Sequence, residues 1–381
     1  MFPEARRERR TVHDPSHPDV DDDDEPRARM RTLERPDAVI RVHRVTHIVE
    51  GRDANWRGIV EPYVGADTGR AIYQVISTLG LLALSMWLMA LTLDWSVPVG
   101  LLFALPTAGL LVRTFILMHD CAHGSLFPSR RLNEIVGFAT GVITMTPFAQ
   151  WRRDHALHHA SSGDLDRRGH GDVPTLTVNE YLAKTEAQQR KYRALRHPLT
   201  LMLGGPIHLM VSQRIRSRSK ATRDKQITSV WGTNAALFAS LLLAGWLFGF
   251  GTVAIVYFVS FYFAAMAGVW LFYVQHQFED AYWEEHGEWD YVTACLQGSS
   301  HLQLSAVLRW FTGNIGLHHV HHLAPRIPNF RLQRCHDENP LFQQAPVITP
   351  RSGMAALRLA LWDEDQRRLV RFDEIKDRRP A

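Results

Sequence analysis

The chain has 381 residues, with 43 Lys and Arg against 39 Asp and Glu, a formal net charge of +4 and three cysteines. That length allows one or two domains. Cys121, Cys295 and Cys335 form no CxxC pair, which excludes a disulfide framework and a fused iron–sulfur or zinc-ribbon module.

The mean hydropathy of −0.16 averages two unlike populations. Residues 1–35 hold Arg6-Arg-Glu-Arg-Arg10, the acidic run Asp21 to Glu25 and many prolines, and are expected to form a disordered charged tail. Residues 36–70 are mixed, and Trp56, Pro62 and Tyr63 suggest a short approach to a membrane interface. Residues 71–93 then carry no charge, and neither do residues 95–112. A helical crossing needs about 20 apolar residues, so spans are expected near 71–93 and 97–118, with Arg113 inside the second. The first is too far from the start of the chain to be a signal peptide. The second span ends in His119-Asp-Cys-Ala-His123. Ile135 to Phe148 is apolar but too short to cross, and reads as an interfacial or re-entrant helix. His155-Ala-Leu-His158-His159 follows it.

Leu199 to Val211 is a second interfacial candidate, expected to break at Gly204-Gly-Pro206 and followed by Arg214, Arg216, Arg218, Lys220 and Arg223. From Gln226 to Phe278 there is no Asp, Glu, Lys or Arg across 53 residues. That is room for two crossings, near 229–249 and 252–275, turning at Gly249-Phe-Gly251. His276 lies at the end of the fourth span, and His318-His319-Val-His321-His322 comes later. Residues 346–381 read as a C-terminal tail, with an amphipathic helix over 354–361 and a charged end.

Lys and Arg set the orientation. Thirteen precede the first span and seventeen lie in 119–225, whereas the short links at Asp94-Trp-Ser and Phe248-Gly-Phe-Gly251 have none. By the positive-inside rule both termini and the central loop are cytoplasmic. All three histidine clusters then fall on one side. The expected fold is an all-α integral membrane protein with four transmembrane helices, interfacial helices and a cytoplasmic helical cap holding a histidine-rich site. The basic loops suit an anionic leaflet or an acidic redox partner, and no nucleic-acid partner is expected.

On a helix, residues three and four apart share a face, so HxxxH and HxxHH each turn their imidazoles towards one point. One such pair arises easily by chance. Three clusters on one side do not, and they are expected to form a dinuclear metal site, since neutral imidazole suits zinc, copper, iron and nickel. No HExxH is present, which argues against a soluble zinc hydrolase. His276 can reach the same point. Asp120, Asp154, Asp280 and Asn314 are candidates to orient the imidazoles, although each could equally be a solvated surface group. His319 lies off the face set by His318, His321 and His322 and is left out of the ligand set. His43, His47, His170, His197, His208, His286, His301 and His336 look isolated.

The order HxxxH, HxxHH, HxxHH resembles the integral-membrane fatty-acid desaturases. His119-Asp-Cys-Ala-His123-Gly-Ser is similar to that family's first box and Trp151-Arg-Arg-Asp-His155-Ala-Leu-His158-His159 to its second. Phe311 to Leu323 with Ile327-Pro-Asn-Phe-Arg331 is similar to the third box of bacterial acyl-lipid, omega-6-type enzymes, as is Gly163 to Thr175 to that branch. The resemblance covers residues 60–345, within a desaturase domain set at 36–345. It implies a non-heme di-iron centre ligated by His119, His123, His155, His158, His159, His276, His318, His321 and His322, with O2 as co-substrate. It also implies a cis double bond placed in a membrane-borne acyl chain, in the omega-6 or delta-12 manner. No His-Pro-Gly-Gly motif marks a fused b-type cytochrome, so the electron donor is separate: a ferredoxin first, a b-type cytochrome second. The expected location is the cell inner membrane. A lipid hydroxylase or carotenoid ketolase on the same scaffold is the nearer rival, and a metal transporter or sensor the farther one.

Overall fold

Charge-free runs have only one way to satisfy their backbone in hydrocarbon without a partner strand, which is to form a helix. A computed structural model describes residues 55–169, 173–215 and 224–378. The expected tail at 1–35, His170 and the basic residues from Arg216 to Arg223 lie outside them. Among the described residues, four helices are long and apolar enough to cross a membrane: Thr68–Trp95, Val97–His123, Asp224–Phe248 and Phe250–His276. Three of them contain the run read from the sequence and extend it at one end or both; the third helix starts earlier than 229 and stops at Phe248, one residue short of the expected end. Asp67 caps the first by accepting from the Arg70 N–H. Gly124, at φ +67, ends the second in a left-handed turn. Gly249, at φ +89, joins the third to the fourth.

The second span is the inner one, with 61% of its apolar window buried, and the third is the outer one, with 11%. Trp231, Phe238 and Leu243 on the third are exposed, as a lipid-facing surface requires. Arg113 is nonetheless buried in the second span. Its Nε donates to Thr78 Oγ1 at 3.1 Å, its Nη1 donates to the Trp310 carbonyl, and its guanidinium lies 4.2 Å over the Trp310 ring. A charge at that depth persists because its donors are satisfied inside the protein.

The short apolar stretch after the first box is the helix Arg130–Ile143, which buries Asn133, Gly137 and Thr140 and exposes Leu132, Ile135 and Phe138. It packs on the second span and turns sharply through Met145, at φ +51, into the helix Phe148–Ser161. Gly141 makes that turn possible, since a Cβ there would sit 2.6 Å from the Thr146 carbonyl.

Two expectations are corrected. The helix at 199–211 does not break at Gly204-Gly-Pro206. It runs from Thr200 to Ser212 through a π-turn, which accommodates the N–H that Pro206 lacks. The predicted helix at 354–361 is displaced to Pro350–Ala356, and Leu361–Asp363 pairs antiparallel with Arg368–Val370 and parallel with Leu176–Thr177. Asp363 Oδ1 accepts from the N–H groups of Asp365 and Gln366, which closes a hairpin that helical periodicity does not reveal. Residues 346–378 are therefore folded rather than a tail. The Leu369 N–H donates to the Glu279 carbonyl just beyond the fourth span at 2.8 Å.

Candidate metal centre

Three helix ends and one short helix deliver nine imidazoles to one place. His119 and His123 occupy the last turns of the second span, and His276 is the last residue of the fourth. His155, His158 and His159 come from Phe148–Ser161, and His318, His321 and His322 from His318–Leu323. They sort into two groups, each with its ligand atoms within 4.8 Å of one another: His119, His123, His155 and His321, then His158, His276, His318 and His322. His159 lies between them. Its Nε2 is 3.1 Å from His155 Nε2 and 3.0 Å from His321 Nε2, while its ring stacks on His322 at 4.1 Å.

Hydrogen bonding alone does not account for this arrangement. The Nε2 atoms of His155, His119, His321 and His159 form a closed circuit with edges of 3.2, 3.0, 3.0 and 3.1 Å. A neutral imidazole carries one N–H, so at most two of those four contacts can be hydrogen bonds. Metal–nitrogen bonds of about 2.1 Å set at right angles separate their nitrogens by about 3.0 Å, the spacing seen here. In the second group, His276 Nε2 lies 3.1 Å from His158 Nε2 and 3.0 Å from His318 Nε2, with His322 Nε2 3.1 Å from His318. His276 Nδ1 donates to the Gly298 carbonyl at 3.1 Å, which leaves its Nε2 lone pair facing the others. Burial, reinforced by neighbouring imidazoles, pushes His155, His159, His318, His321 and His322 well below the ordinary histidine range. They are neutral at pH 7, the form that binds a metal. The donor set fits two metal ions that accept nitrogen ligands.

Residues 93–348 match the family model described as fatty acid desaturase. The chain is 39% identical over 318 residues to a fatty acid desaturase of Bacillus subtilis (strain 168), an alignment covering 83% of this chain and 90% of that one. The chain belongs to the fatty acid desaturase family. It is also 24% identical over 275 residues (70% of this chain, 75% of the other) to the sn-1 oleoyl-lipid 12-desaturase of Synechocystis sp.. A third relative is the sn-2 acyl-lipid omega-3 desaturase (ferredoxin), chloroplastic, of Arabidopsis thaliana, 26% identical over 237 residues (57% of this chain, 50% of the other). Membership makes this protein an oxidoreductase, and its four apolar helices make it an integral membrane one.

Around the imidazoles, the desaturase uses groups of two kinds. Asp120 Oδ1 lies 3.3 Å from His119 Nδ1, and Asp120 Oδ2 accepts from both the N–H and the Nδ2 of Asn329 at 2.8 Å. Asn329 in turn pairs with Gln74 of the first span. Asn314 does not reach an imidazole; its Nδ2 donates to the Asn329 carbonyl at 3.0 Å, so it acts through that residue. Asp154 stays beside His155 on the second-box helix and Asp280 beyond the fourth span, and each is partnered. Aromatic packing is the other kind: Trp151 stacks on His155 at 4.3 Å, and Phe272 lies 5.2 Å from His158 and 5.6 Å from His276.

His319 turns away from all nine, and its Nε2 lies 3.2 Å from His336 Nδ1. His301 lies 4.6 Å from His336, ring to ring, so neither is isolated as expected. Sequence reasoning missed Asn329 and Gln74. Asn329 lay within the quoted Ile327-Pro-Asn-Phe-Arg331 segment, whereas a lone glutamine in an apolar span gave no signal.

Proposed function

We propose that this desaturase places a cis double bond in an acyl chain at a non-heme di-iron centre, consuming O2 and two electrons. The nine ligands are His119, His123, His155, His158, His159, His276, His318, His321 and His322. The observation that carries the reading is the closed circuit of Nε2 atoms beside a second group of four, too many lone pairs for the protons available. Bound iron would supply the oxygen activation that an unactivated methylene requires. The chain's own residues prepare for it. Burial keeps the imidazoles neutral, Asp120 and the Gly298 carbonyl fix the orientation of His119 and His276, and Trp151 and Phe272 exclude water beside the rings.

The substrate is an acyl group carried in the bilayer, and the omega-6 or delta-12 position is favoured by the third-box segment and by the likeness to the oleoyl-lipid 12-desaturase of Synechocystis. In this reading the centre faces the cytoplasm at the cell inner membrane, within reach of a separate donor, and the basic loops support that orientation. Ferredoxin is first choice, in keeping with the likeness to the ferredoxin-type omega-3 desaturase of Arabidopsis. The test is the fatty-acid profile of an expressing host by gas chromatography with mass detection. A new dienoic chain is expected. A hydroxylated or ketonic product would move the reading to an oxygenase on the same scaffold.

A further inference from the structure

Beside the helix Trp56–Val60 lies a groove of about 660 Å³. Its lining includes Leu323 and Ala324, the two residues that follow His322 directly. Tyr291 lines it too, and its hydroxyl donates to the His322 backbone carbonyl at 2.9 Å. This surface is therefore one residue away from an imidazole of the metal centre. From Tyr291 an aromatic file extends to Trp56, with rings 6.4 Å apart, and to Trp289 at 6.2 Å. Each tryptophan carries a guanidinium: Arg57 lies 4.6 Å over Trp56 and Arg167 lies 5.1 Å over Trp289. Arg326 is exposed at the groove, where Glu61 is the single carboxylate among the described lining residues.

We propose that this groove is the docking site of a soluble electron carrier with an acidic face, and that its electrons enter the metal centre at the His322 edge. The proposal rests on the desaturase reading. There, –CH2–CH2– with O2, two electrons and two protons gives –CH=CH– and two waters, and the acyl chain does not supply those two electrons. A one-electron carrier is oxidised once per visit and visits twice per double bond. Tunnelling weakens exponentially with the gap to be crossed, so a carrier gains most by docking where the surface is continuous with a ligand. Arg57 and Arg326 at that surface steer an acidic partner and set its orientation, whereas Arg167 is ion-paired with Asp164. Arginine-covered tryptophans supply desolvated anchors of the kind that dominate interfaces.

The test titrates a [2Fe–2S] ferredoxin against the full-length protein in detergent, at low and high salt. Arg57→Glu/Arg326→Glu is expected to weaken binding at least tenfold and flatten its salt dependence, with the KM for ferredoxin rising in step. Arg57→Lys/Arg326→Lys is expected to bind within a few-fold of wild type, and Arg351→Glu, an exposed position outside the groove, is expected to change nothing. Undiminished binding by the double Glu variant, or equal weakening by Arg351→Glu, would overturn the docking site. Wild type reduced with dithionite, freed of excess reductant and then given O2 and acyl lipid reads the underlying function separately: no double bond there ends the desaturase reading, whatever ferredoxin does.

Discussion

His319 is the most informative single residue, because it sits among ligands without joining them. Its neighbours at 318, 321 and 322 share one helix face, and the 3.6-residue period alone put 319 elsewhere. The structure turns it to His336. His158→Ala or His321→Ala is expected to abolish double-bond formation in an expressing host, while His319→Ala keeps much of it at a stability cost of about 1–3 kcal/mol for the buried partner left unpaired. Equal loss in all three would contradict the face assignment. Asp120→Asn is expected to lower metal affinity about 10- to 100-fold, read by metal retention against a chelator. What periodicity could not reveal is which distant residues join a ligand from behind. Asn329 and Gln74 reach Asp120 only through the tertiary fold, and His301 and His336 looked isolated because their closeness to His319 is spatial. Acidity tests the buried imidazoles collectively. In the folded chain burial holds His155, His159, His318, His321 and His322 below their unfolded value near 6.5, and lowers His301 to about 4. Between those limits the unfolded chain binds more protons, so stability present at pH 7 is lost as pH falls. Thermal unfolding of metal-free protein in detergent should show a melting temperature that drops from about pH 6.5 towards 4; a flat profile would contradict the neutral imidazoles.

Among the elements, those held by one strong signal were legible. Charge-free length gave the four spans, and left-handed Gly124 and Gly249 mark two of their ends. Elements held by pairing were not legible. Leu361-Trp-Asp363 and Arg368-Leu-Val370 are too short for period to distinguish strand from helix, and their third partner is Leu176–Thr177, far away in sequence. The π-turn before Pro206 is another local adjustment that composition hides. The turn between Arg130–Ile143 and the second-box helix is where element geometry governs the site most directly. Gly141→Ala would drive a methyl into the Thr146 carbonyl, and overpacking of this kind costs about 1–3 kcal/mol. The expected outcome is a lower melting temperature in detergent together with reduced metal content, since His155, His158 and His159 follow that turn. Unchanged metal content would show that the turn does not position the second box.

At the scale of the whole molecule, an even number of spans separates the clusters, so all nine imidazoles can meet at one end of the helices. The inner second span carries the first box and the fourth ends in His276, which ties the metal centre to the membrane surface. Cys121, Cys295 and Cys335 are all buried, so introduced cysteines can be read by an impermeant thiol reagent. Asp94→Cys, in the link between the first two spans, is expected to label from outside intact cells, and Gln366→Cys, in the C-terminal hairpin, only after lysis. The reverse pattern would invert the topology. The account as a whole turns on whether the gathered nitrogens hold iron. Metal analysis of the purified, reconstituted protein is predicted to find close to two irons per chain, falling sharply in His276→Ala and staying near two in His319→Ala. Protein that reconstitutes without iron, or that loses it equally in both variants, would contradict the account.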